Sequence, residues 1–420
     1  MLMFFRRAFA LFTAIWMAIP GAFPKEKALR PSTDALKPTD RERAIQLAES
    51  YYTQYFSPAL SRLSLYPFSF ESATCWEAIG LLSLSKRLTL LDACYEKELC
   101  QAVRTVQKYR KEIAGVFAGY VVPWKPLRSQ TNQENGIAYD DNMWLGRDFA
   151  ALFEETGEAQ YRTYAMEIGE FLLSEAWVTL PAQLFADKGW PLPDGDVIGF
   201  YWDNRHDAVH TCSTGPAAQF FAALYRITGE AKYLEAAQKT YRMLPYLENS
   251  DGTFHDLVRF VRDEDRNITA FDSHDRAVYT YNSGSPITAA VELYKATGEE
   301  SYLDDARHWA ERADASFAKP GSVPGVWDYP DQNIWFHLIL MNGYTALLPY
   351  ESAAADYIAR FRSGLDYAYA SHRTQGKLGA YENLLPRDLT GGFPDDPGYQ
   401  HLALDASAAA EIYALLALAE

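Results

Sequence analysis

The chain has 420 residues, with 39 Lys and Arg against 55 Asp and Glu, a formal charge of −16. An acidic surface of this size argues against nucleic acid and anionic membrane as partners. Aromatic residues make up 15% of the chain, including 10 Trp and 28 Tyr; most fill a large core, but such a supply also suits a neutral ligand with apolar faces, sugars above all.

The chain starts Met1-Leu-Met-Phe-Phe-Arg6-Arg7 and then runs apolar from Ala8 to about Phe23, with Thr13 the clear polar interruption. A short basic segment before a brief apolar one reads as a signal peptide over residues 1–23, with a retained N-terminal anchor as the alternative. The run is shorter than the ~20 residues a helix needs to cross a bilayer. No later stretch is long and apolar enough to do so. Residues 24–420 are therefore expected to form one domain that is secreted, periplasmic or held at the cell surface, with no membrane contact beyond the signal segment.

From about Asp40 the apolar spacing is helical almost throughout. Leu152-Phe-Glu-Glu-Thr-Gly157-Glu-Ala-Gln-Tyr161 is echoed by Leu224-Tyr-Arg-Ile-Thr-Gly229-Glu-Ala-Lys-Tyr233. It returns as Leu293-Tyr-Lys-Ala-Thr-Gly298-Glu-Glu-Ser-Tyr302, about seventy residues further on each time. Glycine after the last periodic residue ends one helix, and an acidic residue opens the next. Each copy is thus a tight corner between two helices.

Extending the period predicts six hairpins. Outer helices are expected to start near Arg43, Cys94, Glu158, Glu230, Glu299 and Ser352, and inner ones near Ser72, Asp141, His206, Gly284, Asp331 and Leu402. Twelve helices alternating in this way predict an all-α fold, an (α/α)6 barrel. Its long connections all precede inner helices, so one end carries the variable, functional material.

That end gathers Phe70-Glu71, Tyr139-Asp140-Asp141, Phe200-Tyr201-Trp202-Asp203, Tyr279-Thr280-Tyr281-Asn282, Trp327-Asp328-Tyr329 and Tyr399-Gln400-His401. Rings interleaved with carboxylates and amides around one opening describe a carbohydrate cleft, where flat rings stack on sugar faces and polar groups fix hydroxyls. Tyr139, Trp144, Tyr201, Trp202, Asp203, Tyr281, Asn282 and Trp327 are the candidate substrate-binding residues. Asp140 and Asp141 fall where a helix begins, so they serve either as a cap for orphan N–H groups or as a catalytic carboxyl pair. Among the cysteines, Cys75, Cys94, Cys100 and Cys212 show no metal-type spacing, leaving disulfides and buried free thiols both open. His206 and His210 stand four apart, on what reads as a helix.

Tyr139-Asp140-Asp141-Asn142-Met143-Trp144, together with the Thr-Gly-Glu corners, resembles glycoside hydrolase family 76, the endo-α-1,6-mannanases and their cell-wall relatives. Thr280-Tyr281-Asn282-Ser283-Gly284 and Thr214-Gly215-Pro216-Ala217-Ala218 are similar to further segments of that family. So are Trp335-Phe336-His337 and the closing helix from Ala406. His210 and Glu71 depart from its usual amides. The resemblance implies an (α/α)6 barrel that cleaves α-1,6-mannosidic bonds with retention, Asp140 as nucleophile and Asp141 as acid/base. It implies an oligo- or polysaccharide substrate, α-mannan foremost, with no metal or cofactor, and a monomer is expected. A cell-wall transglycosidase on the same barrel, or an inactive glycan-binding relative, would share these features.

Overall fold

The corner motif explains itself at atomic level. In the computed structural model, which describes residues 38–113, 117–120, 137–376, 381–396 and 399–420, Gly157, Gly229 and Gly298 each end a helix at φ 71°, 74° and 77°. That left-handed conformation costs a residue with a Cβ about 1–2 kcal/mol and glycine nothing. The preceding threonine folds its hydroxyl back onto the carbonyl four residues earlier, as Thr156 does to Leu152 at 2.6 Å, and accepts the N–H of the following glutamate, Glu158, at 3.2 Å. Thr228 and Thr297 repeat both bonds. The chain therefore reverses in two residues. The expected signal peptide, residues 1–23, lies outside the described residues, as does Gly136.

Thirteen α-helices follow in order among the described residues: α1 Asp40–Tyr55, α2 Cys75–Leu91, α3 Glu96–Val106, α4 Tyr139–Thr156, α5 Ala159–Glu175, the short α6 Ala182–Lys188, α7 Thr211–Thr228, α8 Ala231–Tyr241, α9 Thr280–Thr297, α10 Glu300–Phe317, α11 Ile334–Leu347, α12 Ala354–Ser371 and α13 Ala403–Ala419. Six of them, α2, α4, α7, α9, α11 and α13, pack each against the next, and α13 returns to α2, closing an inner ring. The outer helices α3, α5, α8, α10 and α12 each pack on the inner helix before them, while α1 packs on α13. This is the expected (α/α)6 barrel with one added short helix.

Composition assigns each helix to its layer. An outer helix buries one stripe, as α10 does with Leu303, Ala306, Ala310, Ala313 and Phe317 at the helical period. An inner helix is covered on all sides, and α13 buries thirteen of its seventeen residues, many of them alanine. Small side chains let the inner helices approach closely. A Cβ on Gly284 of α9 would lie 2.4 Å from the carbonyl oxygen of Ile339 in α11.

The sequence reading underrated strands. Ala208–His210, Leu257–Arg262 and Ile268–His274 form a three-stranded antiparallel sheet, and Trp177–Leu180 pairs with Val197–Phe200. All lie in connections that lead into inner helices, so they thicken one end of the barrel and leave the ring unaltered. Inner-helix starts shift both ways: α7 begins later than expected, at Thr211 after a strand, and α11 at Ile334 after Asn333, whose side chain accepts the N–H of Trp335, while α9 begins earlier, at Thr280, and α4 at Tyr139.

Candidate active site

The loop-rich end is built on the first turns of the inner helices. Helix α4 is capped by Ala138 in extended conformation, which makes Asp140 and Asp141 its second and third residues. Neither aspartate is the N-cap. Ala138 bridges to Asp203, and the Tyr139 N–H donates to the Trp202 carbonyl at 2.7 Å. This backbone tie holds residues 201–203 beside the start of α4 and brings the half-buried Trp202 against Asp140. Cys212, in the first turn of α7, also meets Asp140.

The two carboxyls sit in different fields. Burial pushes both above the usual carboxylate range. For Asp140 this is opposed by donors that favour the anion: the Asp141 backbone N–H, at 3.0 Å from Oδ1, then the Trp202 indole and the Cys212 thiol. Asp141 has only opposition. After burial come the negative charges of Asp140 and of Glu77, which together drive its pKa well above the ordinary carboxyl value. Glu77 is itself fixed in the capping box of α2, accepting from the Thr74 N–H at 2.7 Å. The first proton to leave the pair therefore leaves Asp140, and Asp141 keeps its own.

A third carboxylate, Asp256, stands close by and was not legible in the sequence. It accepts from Asn282 Nδ2 at 2.9 Å and lies 3.4 Å from the Tyr281 hydroxyl, both in the first turn of α9. Tyr281 also adjoins Cys212 and Asp140. From Tyr281 an aromatic wall runs across three inner helices. Its ring stacks on Phe336 at 4.2 Å, Phe336 stacks on Trp76 at 6.1 Å, and Tyr279 meets Phe336 edge-on at 5.5 Å. All four rings are half-buried, so the wall keeps surface open to a ligand. Trp76 and Phe336 were not among the expected contacts; each is one ring beside a cap in a short apolar run, with no period to mark it.

Several of the expected contacts are engaged by the scaffold. Trp144 is 1% exposed, its ring packed edge-on against Trp335 and covered by the Arg147 guanidinium, leaving no face for a sugar. Tyr139 and Tyr201 are buried on either side of His206, their rings stacked on its imidazole at 5.9 and 4.4 Å. The Asp203 carboxylate holds Arg205 in a turn, at 2.9 Å from its N–H and 2.7 Å from Nε. Asn282 is fully buried and orients Asp256. Trp327 packs on α12, under the Arg360 guanidinium at 5.0 Å, with its backbone N–H donating to Ser363 Oγ at 3.0 Å. Trp202 and Tyr281 remain as partly exposed rings beside Asp140.

His206 and His210 do not share a helix. His206 lies in a turn at φ 57°, and His210 ends a strand as the N-cap of α7, because the sheet displaces the helix start. Burial lowers the His210 pKa to about 4, which keeps the imidazole neutral. All four cysteines are free thiols, Cys75 and Cys212 buried and Cys94 and Cys100 exposed. Among the described residues no group of three His, Cys, Asp or Glu side chains is arranged to hold a metal ion.

Residues 126–326 match the family model of Glycosyl hydrolase family 76. Among curated proteins, the mannan endo-1,6-alpha-mannosidase DCW1 of Saccharomyces cerevisiae is 30% identical over 102 residues, 24% of this chain and 22% of the relative, so the matched segment spans about a fifth of that protein. Among solved structures, a family 76 glycoside hydrolase (mannosidase) from Bacteroides thetaiotaomicron superposes with a TM-score of 0.74 at 26% identity, covering 90% of this chain and 98% of its own. The α-1,6-mannanase of Salegentibacter is similar in fold, at TM-score 0.68 and 20% identity, covering 91% of this chain and 100% of its own. That structure is of an inactive variant with two consecutive aspartates replaced by asparagine, in complex with α-1,6-mannotriose.

Proposed function

We propose that this chain, whose residues 126–326 match the family model of glycoside hydrolase family 76 and whose fold is that of a family 76 mannosidase, is an exported, monomeric, retaining hydrolase of α-1,6-mannosidic bonds in mannan-type glycans. The observation that carries the proposal is the split between two neighbouring carboxyls: Asp140 supplied with donors, Asp141 holding its proton between two other negative charges. A retaining glycosidase needs one ionised nucleophile and one protonated acid. The Asp140 carboxylate attacks the anomeric carbon as the glycosidic C–O bond breaks, and the Asp141 proton goes to the leaving oxygen. Asp141, now a base, takes a proton from water; the water oxygen attacks the same carbon and releases Asp140. The six inner helix N-termini directed at this end favour the transient carboxylates. Trp202 and the Tyr281–Phe336–Trp76 wall offer stacking faces for the sugar rings.

The relatives support this choice of substrate and residues. The yeast protein is a mannan endo-1,6-α-mannosidase, and the Salegentibacter mannanase is inactive once two adjacent aspartates are replaced. The test is incubation with linear α-1,6-mannan, following product size and anomeric configuration by NMR. Internal cleavage with the α-anomer formed first is expected. The β-anomer first would refute retention, and no cleavage would refute the substrate.

A further inference from the structure

A second recess opens at the same end of the barrel, between the segments that lead into α11 and α13. It encloses about 150 Å³ and is lined by Asp331, Arg387, Asp388, Phe393, Pro394 and Tyr399, with two glycines of the intervening turn. We propose that this recess is an accessory sugar subsite that holds one neutral hexosyl unit of the glycan away from the bond being cleaved. The proposal rests on the reading of the protein as a mannan hydrolase.

Three features carry it. The wall is aromatic and fixed: Phe393 and Tyr399 meet edge-on at 5.8 Å, and both pack against the His401 ring, at 4.9 and 5.2 Å. Burial lowers the His401 pKa to about 4, so this backing stays neutral. Rigid rings that keep a partly open face are what the C–H face of a pyranose stacks on.

The rim is tied to the catalytic scaffold. Arg387 Nε donates to Asp405 Oδ2 at 2.7 Å, and Asp405 Oδ1 accepts the Ile334 N–H at 2.7 Å. The recess is therefore fixed to the first turns of α11 and α13, members of the same inner ring as α4, which carries Asp140 and Asp141. Asp388 is locked in its own turn by the Gly391 N–H at 2.6 Å.

Charge selects the ligand. Two carboxylates, Asp331 and Asp388, face a single guanidinium already neutralised by Asp405, so the field is negative and repels phosphate, sulfate or uronate groups. Carboxylates accept paired hydroxyls and the guanidinium donates to them, which suits a neutral sugar. The volume admits one ring.

The test uses the full chain. Phe393→Ala and the exposed Asp331→Asn are assayed on linear α-1,6-manno-oligosaccharides of increasing length, on branched mannan, and on the shortest aryl mannoside that is turned over. We expect kcat/KM to fall about tenfold on long or branched glycans, through KM, and to stay unchanged on the short one. An equal fall on every substrate, or no fall on any, overturns the subsite. If the wild-type protein cleaves no mannan, it is the functional reading that has failed. The recess is then judged by saturation-transfer NMR with the methyl glycosides of mannose, glucose and galactose. Transfer lost in Phe393→Ala upholds a sugar site; equal transfer in both proteins, or none, overturns it.

Discussion

Asp140 and Asp141 share a helix turn and a burial cost, and differ in what faces them: an indole, a thiol and an N–H against two carboxylates. This difference separates their roles in experiment. If Asp140 is the proposed nucleophile, Asp140→Ala removes the only route to a glycosyl-enzyme, so turnover should vanish for every substrate, however good its leaving group. Asp141→Ala should cripple mannan hydrolysis but spare attack on a mannosyl fluoride long enough to fill the cleft. Azide should then intercept the intermediate and give an α-mannosyl azide. Azide product from Asp140→Ala instead would reverse the assignment. The same fields act on stability. A carboxyl whose folded pKa is raised keeps a proton that the unfolded chain gives up, so stability is lost as pH rises from the ordinary carboxyl value through the folded one. Asp141→Asn has no charge to bury. It should be more stable than wild type at neutral pH, by about 1–2 kcal/mol, with the advantage fading below about pH 4, where wild type is protonated in both states. A constant advantage across pH in thermal melts would deny that the pair is electrostatically strained. Single residues were legible where they broke a pattern: two acids opening an apolar helix, or Trp202 just ahead of one. Asn282 and Trp144 are buried, since a sequence shows that a residue lies near an opening, not which way its side chain turns. Asp256, beside a strand that tertiary pairing created, carried no local signal.

Elements were more legible than residues, since a helical period and a repeated corner survive any choice of side chain on the exposed face. The Thr-Gly-Glu corners gave three hairpins outright, and their seventy-residue spacing located the rest. Strands escaped because each is short and depends on a partner far along the chain, as Ala208–His210 does on Leu257–Arg259. Two glycines distinguish what an element needs at its end from what it needs in its middle. Gly298 turns the α9–α10 corner at φ 77° with nothing within 4 Å of an added Cβ. Gly298→Ala should cost about 1 kcal/mol of backbone conformational energy and leave activity alone, because the corner lies at the far end from Asp140. In Gly284→Ala the new methyl would meet the α11 backbone at 2.4–2.5 Å, where no side chain can yield. Helices α9 and α11 would have to part, at about 1–3 kcal/mol or more. They carry Tyr281 and Phe336, so KM for mannan should rise as well. Urea denaturation and steady-state kinetics on the two variants would check this; equal effects on both properties would show that helix spacing does not control the cleft.

The molecule as a whole must close a ring from a linear chain, joining its last inner helix to its first. Part of that junction is polar and buried. Glu411 of α13 is fully buried and accepts from Ser83 Oγ and Arg87 Nε of α2, both at 2.7 Å, while Arg87 Nη2 reaches Asn342 Oδ1 of α11 at 2.5 Å. Three neighbouring inner helices thus meet on one ion pair inside the barrel. Such a pair gives little net stability, because desolvation consumes most of the attraction, yet removing one partner strands the other charge. Glu411→Ala should therefore destabilise by about 3–5 kcal/mol, more than a surface acid such as Glu311, exposed on α10, where loss should stay within about 0.5 kcal/mol. Glu411→Leu combined with Arg87→Met replaces both charges by apolar groups of similar reach. It should recover most of the loss, with a coupling energy that a double-mutant cycle in urea reads directly. Losses that simply add would mean that the two side chains act independently and that ring closure rests on the alanine-rich faces of α13 alone. Recovery of stability in the double variant would show instead that the ion pair sets the register in which α13 docks between α2 and α11. That register fixes Asp405, and through it Arg387 and the Ile334 N–H at the catalytic end. Loss of mannan affinity in the stable double variant is the expected sign of a shifted register.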